Sequence, residues 1–174
     1  MRWTEMELLV AGTLFCAGLG VAGCAGRHAE GPATAQTHAH THNASDHNHD
    51  RGHMQMASNG TYVALLTAHL SSKEGNELDI FLEQAGAPHA ISAKELSAQV
   101  VTPRGPQSLA FACAPRDERP KGETEGTCSH YVAKAPWLTK GERIRVDTTI
   151  PFGSEQVELA FRGFEAGRYA HHED

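Results

Sequence analysis

RIRVDTTIPFGSEQVELAFR, residues 143–162, decides the fold. Ile144, Val146, Thr148 and Ile150 alternate with Arg143, Arg145 and Asp147. After the turn sequence PFGSE, Val157, Leu159 and Phe161 alternate with Glu158 and Arg162. Side chains on a strand point to opposite faces in turn, so a period of two marks strands with one face buried and one wet. Two such runs joined by a glycine-containing turn read as a hairpin.

The same period recurs upstream. Leu78, Ile80 and Leu82 alternate with Glu77, Asp79 and Glu83, although Phe81 interrupts the polar face. Further strands are expected at Tyr62–Leu70, Leu96–Thr102, Gln107–Ala114 and Thr127–Ala133. The segments between them (SSKEGN, QAGAPH, TPRGPQ and LTKGE) are rich in the Gly, Pro, Asn and Lys of turns. No long amphipathic helix is visible; Ala93–Ser97 and Trp137–Lys140 offer at most a helical turn. The expected fold is all-β: a small immunoglobulin-like β-sandwich of about seven strands over residues 60–164.

Between the fourth and fifth expected strands lies PRDERPKGETEG, residues 115–126, charged and expected to be an exposed excursion. Cys113 and Cys128 flank it. Leu109, Phe111 and Cys113 share one strand face, and Cys128, His130 and Val132 share another, so the two cysteines can meet at the mouth of a hairpin.

The N-terminus sets the compartment. Leu8–Val21 reads LLVAGTLFCAGLGV, too short to span a bilayer, which takes about 20 apolar residues, but suited to a signal-peptide core. Val21-Ala22-Gly23-Cys24 follows and resembles the lipobox of bacterial lipoproteins. That resemblance implies cleavage of residues 1–23 and a lipid-modified Cys24, hence membrane attachment through a lipid anchor. The n-region departs from the usual pattern, with Arg2 its only basic side chain beside Glu5 and Glu7. Ala25 after the cysteine, in place of the Asp that commonly marks inner-membrane retention, favours the outer membrane in a two-membrane cell.

Export also fixes the cysteine chemistry. On the lipobox resemblance Cys16 leaves with the signal peptide and Cys24 takes the lipid, which leaves Cys113 and Cys128. In an oxidising compartment such a pair is most simply a disulfide, the alternative being two thiols on a soft metal. Removal of Arg2, Glu5 and Glu7 leaves 14 basic against 19 acidic side chains. This balance gives no basic surface for nucleic acid.

Residues 24–59 carry no apolar periodicity and are expected to form a disordered tether. Their peculiarity is THAHTHNASDHNHDRGHMQM, residues 37–56. Seven of the twelve histidines fall between His28 and His53. Six of them, His38, His40, His42, His47, His49 and His53, are interleaved with Asp46 and Asp50. Imidazole suits Zn(II) and Cu(II), and thioether sulfur suits Cu(I), so Met54 and Met56 join the candidate ligands. The alternative for HMQM is a short apolar lead into the first strand. No spacing privileges one set of four histidines, so several exchanging, transient arrangements are expected. Flexible ligands lose entropy on converging, which limits affinity. In the folded part, His69 and His130 fall on strands, where hydrogen-bonded structural roles are the commoner reading. His171–His172 with Glu173 and Asp174 close an anionic tail, residues 165–174.

The region from about Gly60 to Gly163 also resembles small domains of secreted bacterial proteins found near heavy-metal efflux adaptors. The resemblance lies in the His-rich leader, YVALLTAHL, ELDIFLEQ, TCSHYVAKAPWL and two closing amphipathic strands. The chain departs from it in the cysteine pair and the charged excursion. It implies an accessory role in envelope metal handling, toward an efflux or uptake complex. HExxH, GxSxG and phosphate-binding glycine loops are missing, so no enzyme activity is expected. The competing expectation is a structural or adhesin-like lipoprotein, its sandwich on an envelope partner and its tether only a spacer.

Overall fold

The computed structural model describes residues 51–173, with the side chains of Arg51, His171, His172 and Glu173 outside the description. The strands are β1 (Gln55–Ser58), β2 (Tyr62–Leu70), β3 (Glu77–Gln84), β4 (Ala87–Pro88) and β5 (Glu95–Thr102). They continue with β6 (Gly105–Cys113), β7 (His130–Lys134), β8 (Arg143–Phe152), β9 (Glu155–Glu165) and β10 (Ala170–Glu173). Among the described residues there is no α-helix, only short 3-10 turns at Arg51–His53 and Arg116–Glu118.

The all-β expectation holds, and the seven expected strands correspond to β2, β3 and β5 to β9. Hydrogen bonding runs without a break through β1-β2-β3-β7-β6-β5-β8-β9. The sandwich-like core is therefore one antiparallel sheet curled into a near-barrel, in place of two separate sheets. Its ends approach: the Gln55 side-chain amide donates to the Arg162 carbonyl at 2.9 Å, joining β1 to β9.

Alternation fills the interior. Leu78, Ile80 and Leu82 pair across β2 with Ala68, Leu66 and Ala64, and all six are buried. On the other side Leu78 and Ile80 meet Ala133 and Tyr131 of β7. Leu96, Ala98 and Val100 of β5 face inward with Phe111, Val146, Ile150, Leu159 and Phe161. Each fully buried Leu, Ile or Phe contributes about 1.5–3 kcal/mol of transfer free energy.

One departure from strict alternation has a visible cause. Phe161 and Phe164, three residues apart, are both fully buried. The β8–β9 register shifts between Ile144↔Phe164 and Val146↔Phe161, so β9 carries an extra residue there. Gly163 within it has φ +66°, a left-handed conformation that glycine adopts without steric cost. Such a bulge resets the parity of the strand and turns the second aromatic inward.

Three further differences from the sequence reading concern the ends and the turns. β1 lies inside the stretch assigned to the tether: Gln55–Ser58 pairs antiparallel with Val63–Leu66. β10 lies inside the stretch assigned to the tail, parallel to β2, with Ala170 opposite Ala68 and Glu173 opposite Leu70. β2 is central to the buried layer and would otherwise leave one edge of amides and carbonyls unpaired; β1 and β10 share that edge. Finally, Glu95 already opens β5, and Ala135–Leu138 closes as a single hydrogen-bonded turn at 2.9 Å, so neither supposed helical turn forms.

Candidate functional site

Side chains of β2, β3 and β7 that point away from the barrel core line up in rows set by the register. Leu65, Phe81 and His130 form one row, Thr67, Asp79 and Val132 the next, and His69, Glu77 and Lys134 the third. Most of these side chains are buried, which a face turned to solvent would not allow. Part of the cover is local: Met54, Pro88 and Pro120 of the 115–126 excursion line a small cavity with Leu65 and Phe81.

The excursion is exposed along most of its length, as expected, but Glu118, Arg119, Pro120 and Glu123 are half-buried where it lies against the sheet. Its own polar groups make this possible. Arg119 donates from Nη1 to the Thr127 carbonyl at 2.8 Å, and Arg116 from Nη2 to that of Glu123 at 2.6 Å. Glu123 accepts from the Ser129 amide at 2.9 Å and from the Ser129 hydroxyl. At its base Cys113 and Cys128 are joined as a disulfide, their Cα atoms 5.9 Å apart. This lies within the range that disulfide geometry requires.

Beneath the excursion sits His130, 2% exposed. Its Nε2 is 2.8 Å from Asp79 Oδ1 and its Nδ1 is 3.1 Å from the Glu118 carbonyl oxygen. Phe81 stacks on the ring at 4.2 Å. Burial by itself disfavours the imidazolium, but the hydrogen bond and charge of Asp79, then the Glu118 carbonyl and carboxyl, outweigh it and raise the His130 pKa. Burial likewise pushes up the Glu118 carboxyl; the charge of His130 opposes this, while Asp117, Asp79 and Glu77 add to it.

The third row is a separate ion network. Glu77 accepts from His69 Nδ1 at 3.1 Å through Oε1 and from Lys134 Nζ at 2.6 Å through Oε2. Burial works to raise the Glu77 pKa, but these two partners overcome it and lower it to about 2. His69 and His130 therefore have the structural, carboxylate-paired roles expected for strand histidines. His89 lies with Tyr62 and Phe152, its ring 5.6 Å from the first and 5.7 Å from the second.

The lipidation site and the expected metal ligands divide. Cys24, His38, His40, His42, His47 and His49 lie outside the described residues. His53 is exposed in the first 3-10 turn. Met56 is 65% exposed, whereas Met54 is 7% exposed and lines a small cavity with Leu65, Phe81 and Leu82. Met54 is thus seated on the outer face, in keeping with the apolar lead into the first strand that the sequence also allows. Among the described residues no group of three or more His, Cys, Asp or Glu side chains is placed to hold a metal ion.

Sequence reasoning missed the pairing of Asp79 with His130 and the half-buried part of the excursion. One signal was present: Phe81 among the charged residues of ELDIFLEQ, an aromatic on a supposedly wet face. An apolar ring there implies cover. Comparison with protein-family models, with curated proteins and with solved structures finds no match.

Proposed function

We propose that the chain is an envelope lipoprotein, anchored through Cys24, which gathers Cu or Zn ions transiently on its His/Met-rich tether. In this reading it is an accessory of metal homeostasis or efflux rather than an enzyme. The observation that carries the reading is ligand density. Six histidines between His38 and His53 run up to Met54, and Met54 is seated on the domain. His53 and Met56 flank that seat and are exposed, so they extend the ligand-rich run onto the domain surface. His69 and His130, by contrast, are each engaged with a carboxylate.

Neutral imidazole is the ligand, so capture weakens as pH falls through about 6.5. The test is calorimetric titration of Zn(II) and Cu(II) into the intact protein and into a variant lacking residues 36–52. Loss of most binding with the domain still folded supports the reading. One tight ion on the truncated domain would overturn it.

A further inference from the structure

We propose that His130 is a pH-operated latch holding the Arg116–Glu118 turn of the excursion on the sheet, through one hydrogen bond to Asp79 and another to Glu118. The proposal does not depend on whether the tether binds metal.

The geometry carries it. Both ring nitrogens face oxygen atoms that accept hydrogen bonds: Asp79 Oδ1 at 2.8 Å and the Glu118 carbonyl at 3.1 Å. A carbonyl oxygen only accepts, and so does a carboxylate. Both contacts are satisfied together only when both nitrogens carry hydrogen, and that species is the imidazolium. A neutral ring keeps one N–H. With Asp79 as the stronger acceptor, the nitrogen facing Glu118 then presents a lone pair to a carbonyl oxygen, in a site almost free of water. Two facing acceptors repel, and an unsatisfied buried carbonyl is costly. Losing the proton therefore releases the Glu118 end.

The surrounding charges favour this switch. From β3, Asp79 contacts the ring directly, and Glu77 stands one row beyond Asp79 with its charge shared by His69 of β2 and Lys134 of β7. From the excursion come Asp117 and Glu118, with the Arg119–Glu123 ion pair at 3.5 Å behind them. Next to His130 on the chain, Ser129 holds Glu123. The local balance is acidic and stabilises a cation at His130, which agrees with its raised proton affinity. A group of this kind stabilises the closed form fully below the unfolded histidine value of 6.5 and loses that effect as pH rises through its higher folded value.

Opening is local. The disulfide and the Ser129–Glu123 contacts hold the far arm of the excursion whether or not His130 is charged. Release concerns the arm bearing Arg116–Glu118 and Pro120, which also lines the small cavity with Phe81 and Met54.

Hydrogen exchange on the oxidised, full chain tests the latch, as protection relative to the intrinsic rate at each pH. Between about pH 6 and about pH 9, protection at Glu118 and Arg119 should fall by about tenfold or more, while β5 and β8 keep theirs. Imidazole 15N shifts should show both nitrogens of His130 protonated wherever the turn is closed. His130→Gln should abolish the pH dependence. Asp79→Asn, which removes the facing charge, should move the transition to lower pH by about one unit or more. Should His130→Gln fail to fold, the Asp79→Asn shift and the wild-type imidazole signals still decide. Protection that is flat with pH, a neutral His130 under a closed turn, or loss spread evenly over β5 and β8 would each overturn the proposal.

Discussion

Glu77 and Lys134 face each other across the β3–β7 ladder, Oε2 and Nζ 2.6 Å apart, with His69 on the other carboxylate oxygen. The pair bridges an element near the start of the domain to one past the excursion.

The Glu77 pKa is lowered from 4.5 to about 2, so the stabilisation is present above 4.5 and is lost as pH falls toward 2. Lys134 is largely exposed, and solvent screening trims the effect to about 1–2 kcal/mol. Denaturation at a series of acid pH values should show this loss in the native chain. Glu77→Gln should flatten it.

Reduction of Cys113–Cys128 should leave the barrel folded but weaker. The half-cystines are 15 residues apart. A loop of that length corresponds to about 3 kcal/mol in the chain-entropy model. Urea midpoints with and without reductant measure it. Purified oxidised protein should show no free thiol from this pair, and finding one would remove the bridge.

The two methionines of HMQM should behave oppositely. Met54→Ala empties a seat against Leu65 and Phe81 and should cost about 2 kcal/mol or more. Met56→Ala, at an exposed position, should stay within about 0.5 kcal/mol of the parent. If Cu(I) is held by thioether, Met56→Ala lowers Cu(I) affinity while Zn(II) affinity stays. Equal stability losses for the two variants would contradict the packing assigned to Met54.

Where a deletion ends matters for the tether. Removing residues 36–52 spares Met54 and β1, and the melting temperature should barely change. Extending the cut to residue 56 takes Met54 and two of the four β1 residues, exposing an edge of β2. That longer deletion should melt several degrees lower, about 4–8 °C for each kcal/mol in a domain this small.

The anchor has its own test. Cys24→Ser should abolish lipid labelling and leave an uncleaved precursor in the membrane fraction. Normal processing of that variant at the same position would remove the lipoprotein reading.

The sequence by itself determined the seven strands β2, β3 and β5 to β9 and the inward faces of the alternating ones. Alternation such as Ile144, Val146, Thr148 and Ile150 is a local property, legible because side chains on a strand point to opposite faces in turn. It also marked out the histidine-dense segment and, by elimination, the Cys113–Cys128 pair. Only the tertiary structure decided which strand lies beside which. β3 meets β7 across about fifty residues of sequence, and that pairing alone brings Asp79 to His130. Nor did local pattern show where the charged excursion lies against the sheet, where Met54 is seated, or that Ala170–Glu173 joins β2. Those outcomes turn on which apolar faces and unpaired edges remain once the barrel has formed, a condition that no window of neighbouring residues contains.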